Sequence, residues 1–272
     1  MYIKIEIKPF SFPLVRELIT SKGSINFRKG FLLYIEDSQG KNGWGEVSPL
    51  DPYELQTSQS ILKTIGSKVS RKELELEMKA WPGSLAFGIG AALAEIDGLI
   101  GSKKEEGWMQ APTSTYLLPQ GIDTLQKIEL IKENMSSSNQ PFTIKCKVAI
   151  DPITKELDEI QQILSVLRHD SRIRLDANAG WNREQANEWS YVLQKEDRIE
   201  WLEQPLAIDD IDGLRGLSTK IPVALDESLF FNPSLRESWK YWQVRHPVLE
   251  GDPRILLKEL SKKKEFRAIS TS

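Results

Sequence analysis

Residues 172–204 read RIRLDANAGWNREQANEWSYVLQKEDRIEWLEQ and contain two strand-like runs separated by one amphipathic segment. Asn182 and Gln185 stand three residues apart and form a capping-box pattern where that segment begins. The runs 172–177 and 199–204 have the length of strands. A strand, a helix and a second strand in this order predict a parallel pair joined by a right-handed crossover.

The same alternation extends in both directions from this unit. The candidate strands lie at 115–118, 142–148, 172–177, 199–204, 222–227, 243–248 and 266–270. Helix starts lie between them, for example at residues 232–233 and 252–253, where a capping residue precedes a proline. Alternation alone does not distinguish an open sheet from a closed barrel.

Polar residues at the strand ends favour the barrel, because barrel active sites gather at the C-terminal ends of successive strands. Seven candidate strands are present, and a barrel of eight units would need roughly another helix, strand and helix. The prediction for residues 109–272 is therefore an α/β fold, a (β/α) TIM-type barrel that is truncated after about the seventh strand.

Residues 1–108 have a different pattern and predict a separate α+β domain. Strand-like runs lie at about 2–8, 31–36 and 44–48, and helical stretches lie at about 53–66, 70–79 and 84–100. Gly88 and Gly90 fall in the last of these helices, and the third glycine of a dinucleotide-binding loop is missing. We interpret them as small residues that allow close helix packing.

The composition argues against several classes of partner. A net charge of -3 and a pI near 5.7 give no electrostatic basis for binding nucleic acid or an anionic membrane. Cys146 is the single cysteine, which excludes an internal disulfide and favours a reducing compartment. No apolar run approaches about 18 residues, and no signal-peptide core is present. We therefore expect a cytoplasmic protein with neither nucleic acid nor a membrane as partner; the sequence does not determine its oligomeric state.

Lys145 and Lys147 lie two residues apart in the candidate strand 142–148. Residues two apart in a strand point to the same face, so both ammonium groups share one face and Cys146 points to the other, helix-covered face. The alternative is an edge strand with solvent-exposed lysines. Predicted helices precede and follow the strand 142–148 in sequence, which favours a central position for it in the sheet.

Acidic residues end three consecutive candidate strands, at Asp176, Glu203 and Asp226. They are about one βα unit apart, so parallel strands would bring one carboxylate each to the same rim. Three close carboxylates repel one another, and a divalent cation relieves that repulsion. An all-oxygen site with room for water and substrate suits Mg²⁺. The alternative for any single one is that it caps the following helix.

A divalent cation beside two lysines points to proton abstraction next to a carboxylate. The cation stabilises the enediolate charge as it develops. A lysine beside another positive charge gives up its own proton more easily, so it can act as the base. Lys145 is placed to assist Lys147 in this way.

Several segments together resemble the enolase superfamily, in the branch that carries Lys-x-Lys on the second barrel strand. Residues 44–50 (WGEVSPL) are similar to a segment of its capping domain. Residues 175–181 (LDANAGW), 203–206 (EQPL) and 225–228 (LDES) are similar to its barrel strand ends, and their combination is specific. Within the superfamily, residues 247–252 (PVLEGD) look most like the o-succinylbenzoate synthases.

That resemblance implies a Mg²⁺-dependent lyase of menaquinone or phylloquinone biosynthesis, with residues 1–108 as the capping domain. It also implies a small-molecule carboxylate as substrate: the reaction is the dehydration of a 2-succinyl-6-hydroxy-cyclohexadiene-carboxylate to o-succinylbenzoate. The residues that match functional positions of the family are Lys147 (base), Lys145 (electrostatic helper), Asp176, Glu203 and Asp226 (metal ligands), and Asn178 and Ser270 (near the substrate).

The chain departs from the family at His246, where the family usually has a second catalytic lysine that faces the base across the substrate. A histidine is charged only part of the time near neutral pH. Two interpretations follow. Either the dehydration tolerates His246, because that reaction needs only one base, or the histidine impairs the activity. Arg245 would supply the missing charge only if the strand register shifted by one residue.

Two alternatives stay open. One is an N-acylamino acid racemase or dipeptide epimerase of the same superfamily, which needs a base on each face of the substrate and is disfavoured by His246. The other is a non-catalytic, truncated barrel, because seven candidate strands are found where a closed barrel has eight.

Overall fold

The computed structural model of the chain describes residues 2–20, 23–101, 114–136, 141–262 and 266–270. These residues fall into two compact units. As far as they are described, the first unit takes its residues from 1–109, 246–265 and 269–272, and the second from 110–245 and 266–268. The predicted domain boundary between residues 108 and 109 lies outside the described residues.

The strands are β1 (Tyr2–Thr20), β2 (Gly23–Asp37), β3 (Asn42–Val47), β4 (Lys68–Ser70), β5 (Tyr116–Leu117), β6 (Thr143–Lys147), β7 (Arg172–Asp176), β8 (Ile199–Glu203), β9 (Val223–Leu225), β10 (Trp242–Arg245) and β11 (Arg267–Ile269). The α-helices are α1 (Pro52–Ile65), α2 (Arg71–Glu77), α3 (Gly83–Ile96), α4 (Thr124–Ser136), α5 (Ile153–Val166), α6 (Arg183–Leu193), α7 (Ile211–Ser218), α8 (Glu227–Phe231), α9 (Leu235–Ser238), α10 (Pro247–Glu250) and α11 (Pro253–Lys262). Within the described ranges, none of these helices is both long and apolar enough to cross a membrane.

The first unit is built on an antiparallel sheet in the order β3-β2-β1-β4, and α3 packs against β2 and β3. Alternating apolar residues of the strands form its core with α3, and Ile3, Leu33 and Ile35 are almost fully buried there. Antiparallel strands followed by helices confirm the predicted α+β character of this region.

β1 and β2 are much longer than the predicted strands, because they continue as a paired ribbon. The pairing runs along β1 from Ile3 to Thr20, with a register shift between Pro13 and Leu18. The ribbon beyond residue 8 does not continue the regular alternation of apolar and charged residues from which the shorter strand is predicted. The pattern also does not reveal β4, which has only 3 residues.

Glycine allows α3 to approach the sheet closely. A Cβ at Gly45 of β3 would overlap the carbonyl oxygen of Gly88, and a Cβ at Gly88 would lie 2.6 Å from the carbonyl oxygen of Glu46. A Cβ at Gly90 would lie 2.5 Å from a carboxylate oxygen of Asp252. These contacts confirm the interpretation of Gly88 and Gly90 as packing residues.

Gly45→Ala is therefore expected to destabilise the chain by about 1–3 kcal/mol, because the added methyl group has no space between β3 and α3. Gly216→Ala in α7 is the control, since a Cβ there meets nothing within 4 Å. Alanine inside a helix should add about 0.5–1 kcal/mol of stability. Urea denaturation measures both free energies of unfolding, and an unchanged value for Gly45→Ala would contradict the contact.

Residues 246–262 pack with the first unit, which differs from the prediction that all of 109–272 belongs to the barrel. The reason is that α10 and α11 contact α3. Arg254 of α11 also forms ion pairs with Asp252 at 2.8 Å and with Glu75 of α2 at 2.9 Å.

The second unit carries a parallel sheet whose strands follow chain order from β5 to β11. Seven strands at the predicted positions within the described residues, alternating with helices, confirm the predicted fold of (β/α)-barrel type. Ile144, Cys146, Ile173 and Leu175 face the helices and pack with α6, whose Trp189 is 0% exposed. The capping box at the start of α6 is formed as predicted.

The opposite face of this sheet carries a different set of side chains. Trp201, Ala224 and Val244 form a small apolar cluster, against which Trp242 packs. The ring centroids of the two tryptophans are 4.5 Å apart. The guanidinium of Arg174 lies 3.9 Å from the centroid of the Trp201 ring. This layer supports the polar side chains that end the strands.

Candidate active site

Lys147, Asp176 and Glu203 form one row across three neighbouring strands. In the pairing of β6, β7 and β8, Lys147 lies opposite Asp176, and Asp176 lies opposite Glu203. Each is the last residue of its strand, so the row stands at the C-terminal edge of the sheet. Barrel enzymes carry their active sites at this edge.

Two lysines neutralise the carboxylates of this row. The ammonium of Lys145 lies 2.8 Å from Oδ2 of Asp176 and 2.6 Å from Oε1 of Glu203. The ammonium of Lys147 lies 2.7 Å from the same Asp176 oxygen. Asp176 and Glu203 are 0% and 1% exposed, so these ion pairs form where water screens charge poorly.

Asp226 directly follows β9, the strand next to β8 in the sheet. This strand pairs with β8 through Ala224, which lies opposite Glu203, and Asp226 follows two residues later. The backbone N–H of Asp226 donates to Oε1 of Gln204 at 3.2 Å. Asp226 is half-buried and precedes α8 directly. The third carboxylate therefore belongs to the same edge, but not to the paired row.

Asn178 connects the lysine to a fourth carboxylate. Lys147 donates to Oδ1 of Asn178 at 2.5 Å, and Nδ2 of Asn178 donates to Oε1 of Glu227 at 2.9 Å. The backbone N–H of Asn178 donates to Oδ1 of Asp176 at 3.1 Å. Asn178 thus orients both the candidate base and a candidate ligand.

Burial raises the pKa of Glu203 to about 7, with the negative charges of Asp176 and Asp226 acting in the same direction and Lys145 offsetting only part of the effect. Burial alone would lower the pKa of Lys145, but the charges of Glu203 and Asp176 outweigh it and hold that pKa above its ordinary value. Lys145 therefore offsets only part of the repulsion that Glu203 experiences from the neighbouring carboxylates.

This donor set fits a hard divalent cation, because Mg²⁺ prefers carboxylate oxygens and its charge would relieve the repulsion at Glu203. Among the described residues, no group of three or more His, Cys, Asp or Glu side chains is arranged to hold a metal ion. The ammonium groups of Lys145 and Lys147 lie against the carboxylates instead. Ligation by all three predicted carboxylates requires these ammonium groups to move aside.

The loops that follow β6, β7 and β8 hold residues in the left-handed backbone region. The positive φ angles are 65° at Ala149, 44° at Asn178, 61° at Ala179 and 36° at Gln204. A non-glycine residue in this region costs of order 1–3 kcal/mol and persists only where its surroundings enforce it. Strain concentrated at one edge of the sheet is typical of a functional site.

His246 and Ser270 are placed at the ends of the last strands. His246 is the N-cap residue of α10, and its backbone N–H donates to Oε1 of Glu250 at 3.1 Å. Ser270 directly follows β11. Arg245 is 2% exposed and points away from the face of its neighbour Val244, so the register shift that would turn it inward does not occur. The functional roles of His246 and Ser270 stay predictions.

Trp201, Gln204 and Glu227 also belong to the site, although the motifs do not single them out. The indole N–H of Trp201 donates to Oε2 of Glu203 at 3.2 Å. The sequence does indicate the place of Trp201, because it lies two residues before Glu203 in the same strand and therefore shares its face. Glu227 adjoins Asp226 in sequence. The place of Gln204 depends on a positive φ and on contacts with the next strand, for which the sequence has no local signal.

Two family models match successive parts of the chain. The model of the MenC N-terminal domain matches residues 4–96, and the enolase C-terminal domain-like model matches residues 133–238. Together they cover the sheet of the first unit and the strands that carry the lysines and carboxylates.

Similar proteins agree with these domains. The o-succinylbenzoate synthase of Thermosynechococcus vestitus is 28% identical over 257 residues, covering 89% of this chain and 74% of that protein. The L-Ala-D/L-Glu epimerase of Bacillus subtilis is 26% identical over 270 residues, covering 89% and 70%. The solved o-succinylbenzoate synthase from Thermosynechococcus elongatus BP-1, complexed with Mg in the active site, matches with a TM-score of 0.77 at 25% identity, over 99% of this chain and 84% of that one. The two domain models therefore match in order along the chain, and the fold is similar to that of a solved o-succinylbenzoate synthase over nearly the whole chain.

Proposed function

We propose that the chain is an o-succinylbenzoate synthase that uses Mg²⁺. The observation that carries the proposal is the row of Lys147, Asp176 and Glu203, with Lys145 bonded to both carboxylates. It combines a candidate base with two buried carboxylates, and the pKa of one of them, Glu203, is raised to about 7. The relatives named o-succinylbenzoate synthase support the choice of substrate.

In the proposed reaction, Lys147 acts as base and then as acid. Its free amine takes the proton from the carbon next to the carboxylate of 2-succinyl-6-hydroxy-cyclohexadiene-carboxylate, and the C–H electron pair moves into an enediolate. The ring double bond then forms as the C–O bond of the hydroxyl breaks. The Lys147 ammonium returns its proton to that oxygen, which leaves as water.

The other residues prepare Lys147 and the substrate carboxylate. Asp176, Glu203 and Asp226 would hold Mg²⁺, which when bound supplies positive charge to the oxygens of the developing enediolate. We propose that Lys145, which pairs with Asp176 and Glu203, is the electrostatic helper of Lys147 that the resemblance implies. Oδ1 of Asn178 lies 2.5 Å from the Lys147 nitrogen and fixes its direction.

Finer assignments rest on the same resemblance. We propose that residues 1–108 form the capping domain, which the match of the MenC N-terminal model to residues 4–96 supports. We also propose that the protein acts in the cytoplasm, in menaquinone or phylloquinone biosynthesis.

A dipeptide epimerase or N-acylamino acid racemase is the second candidate, and the similarity to the Bacillus subtilis epimerase supports it. Both reactions begin with proton abstraction, but epimerisation needs a base on each face of the substrate. His246 stands where the superfamily usually has the second lysine, which favours the dehydration.

Proton NMR in D₂O with Mg²⁺ distinguishes the two reactions. The proposal predicts conversion of the cyclohexadiene carboxylate to o-succinylbenzoate, and no deuterium at the α-carbon of the glutamate in L-Ala-L-Glu. Exchange into the dipeptide without dehydration would favour the epimerase. Folded protein that does neither reaction would contradict the proposal.

A further inference from the structure

Gln204 has a buried side-chain amide beside the carboxylates that is hydrogen-bonded at both its oxygen and its nitrogen. It is 0% exposed and directly follows Glu203. Its Oε1 accepts the backbone N–H of Asp226 at 3.2 Å and that of Ser228 at 3.1 Å. Its Nε2 donates to the carbonyl oxygen of Leu206 at 3.0 Å and to Oγ of Ser228 at 2.8 Å. The amide therefore joins the end of β8 to the start of α8.

The backbone of Gln204 makes the same connection on both sides. Its N–H donates to the carbonyl oxygen of Ala224 in β9 at 2.8 Å, and its carbonyl accepts the N–H of Ala179, after β7, at 2.7 Å. Its φ of 36° lies in the left-handed region, which an L side chain enters only under constraint. Gln204 is therefore bonded to each of the strand ends that present a candidate ligand.

We propose that Gln204 is a positioning residue that sets the separation of Glu203 and Asp226 for cation binding. This inference rests on the proposed function, because it assumes that these carboxylates bind Mg²⁺. Groups that orient metal ligands by hydrogen bonding typically contribute a factor of about 10–100 in metal affinity. Without Gln204, the backbone at Asp226 loses the acceptor that fixes it.

The chemistry of the side chain explains why an amide is needed here. Oε1 must accept two N–H groups, while Nε2 must donate to a carbonyl oxygen. A glutamate in the same place would set a carboxylate oxygen against the carbonyl oxygen of Leu206. Methionine has a similar length and offers neither the donor nor the acceptor.

The test measures Mn²⁺ binding to the 272-residue chain by electron paramagnetic resonance, without substrate. For Gln204→Met we expect the Mn²⁺ dissociation constant to rise about 10–100-fold. Gln204→Asn retains a buried amide and a residue type that tolerates positive φ, but is one methylene too short; we expect it to weaken binding as well. This second variant keeps the test valid where the methionine variant does not fold.

Gln243→Met is the matched control. Gln243 is also a 0% exposed glutamine of the same sheet, and its Nε2 donates to the carbonyl oxygens of Arg236 at 3.0 Å and Trp239 at 3.1 Å. The Gln243→Met variant should be less stable than wild type, because it removes the hydrogen bonds of a buried amide. Its Mn²⁺ dissociation constant should stay within about twofold of the wild-type value.

Wild-type affinity in either folded Gln204 variant would overturn the inference, and so would equal weakening in Gln243→Met. Wild-type chain that binds no Mn²⁺ would overturn both the inference and the proposed metal site. Wild-type chain that binds Mn²⁺ but does not dehydrate the cyclohexadiene carboxylate would refute the proposed reaction; weaker binding in the Gln204 variants would still support the positioning role.

Discussion

Lys147→Ala is expected to lower the turnover of the cyclohexadiene carboxylate by at least about 10²–10⁴-fold. The reason is that one amine both removes the α-proton and returns it to the departing hydroxyl. Mn²⁺ binding should survive the change, because Lys147 is not a metal ligand. Its loss also removes a positive charge that competes with the cation for Asp176. Steady-state kinetics and Mn²⁺ titration of the same preparation measure the two effects.

Lys127→Ala is the matched control for this variant. Lys127 of α4 is also a half-buried lysine in one short ion pair, 2.6 Å from Oε1 of Glu159. Its loss should leave turnover within about twofold, since it lies on a helix of the barrel and forms a structural pair. If Lys147→Ala retains near wild-type turnover, another group is the base and the proposed mechanism is wrong.

Glu203→Gln is expected to abolish the effect of Mg²⁺ while making the cation-free chain more stable. The pKa of Glu203 is raised from 4.5 to about 7 in the folded state, so ionised Glu203 disfavours folding. The penalty grows as pH rises from the unfolded pKa to the folded one and is constant above it. Above about pH 8, removing the charge should raise the free energy of unfolding by roughly 3 kcal/mol, since each pKa unit between 4.5 and about 7 corresponds to about 1.4 kcal/mol.

Thermal unfolding in EDTA and in excess Mg²⁺ tests this prediction. Wild type should gain stability on adding Mg²⁺, because a cation that binds only the folded state stabilises it. In EDTA, the Glu203→Gln variant should unfold at a higher temperature than wild type, and Mg²⁺ should not raise that temperature further. Its extra stability over wild type should disappear as pH falls towards about 4.5. A variant less stable than wild type in EDTA at about pH 8 would mean that the ion pair with Lys145 outweighs the burial of the charge.

Much of the second unit is predictable from sequence, because each strand is a short local pattern between helix signals. The capping box of Asn182 and Gln185 and the alternation in residues 143–147 both have direct structural counterparts. The side-chain period of two places Lys145 and Lys147 on one face and Cys146 in the core. These features depend on residues close in sequence.

The features that the sequence does not reveal depend on pairing between distant segments. The register that sets Lys147 opposite Asp176 comes from contacts between β6 and β7. The grouping of residues 246–262 with the first unit depends on tertiary packing against α3. Tertiary contacts also impose the left-handed backbone of Gln204, against its intrinsic preference.

The central claim is that Asp176, Glu203 and Asp226 bind one divalent cation beside Lys147. Anomalous X-ray scattering from crystals of the chain soaked in Mn²⁺ tests it most directly. The account predicts a single anomalous peak within about 2.0–2.3 Å of oxygens from all three carboxylates, with the ammonium groups of Lys145 and Lys147 moved away from Asp176. No peak at this edge of the sheet at saturating Mn²⁺, with both lysines still bonded to Asp176, would contradict it.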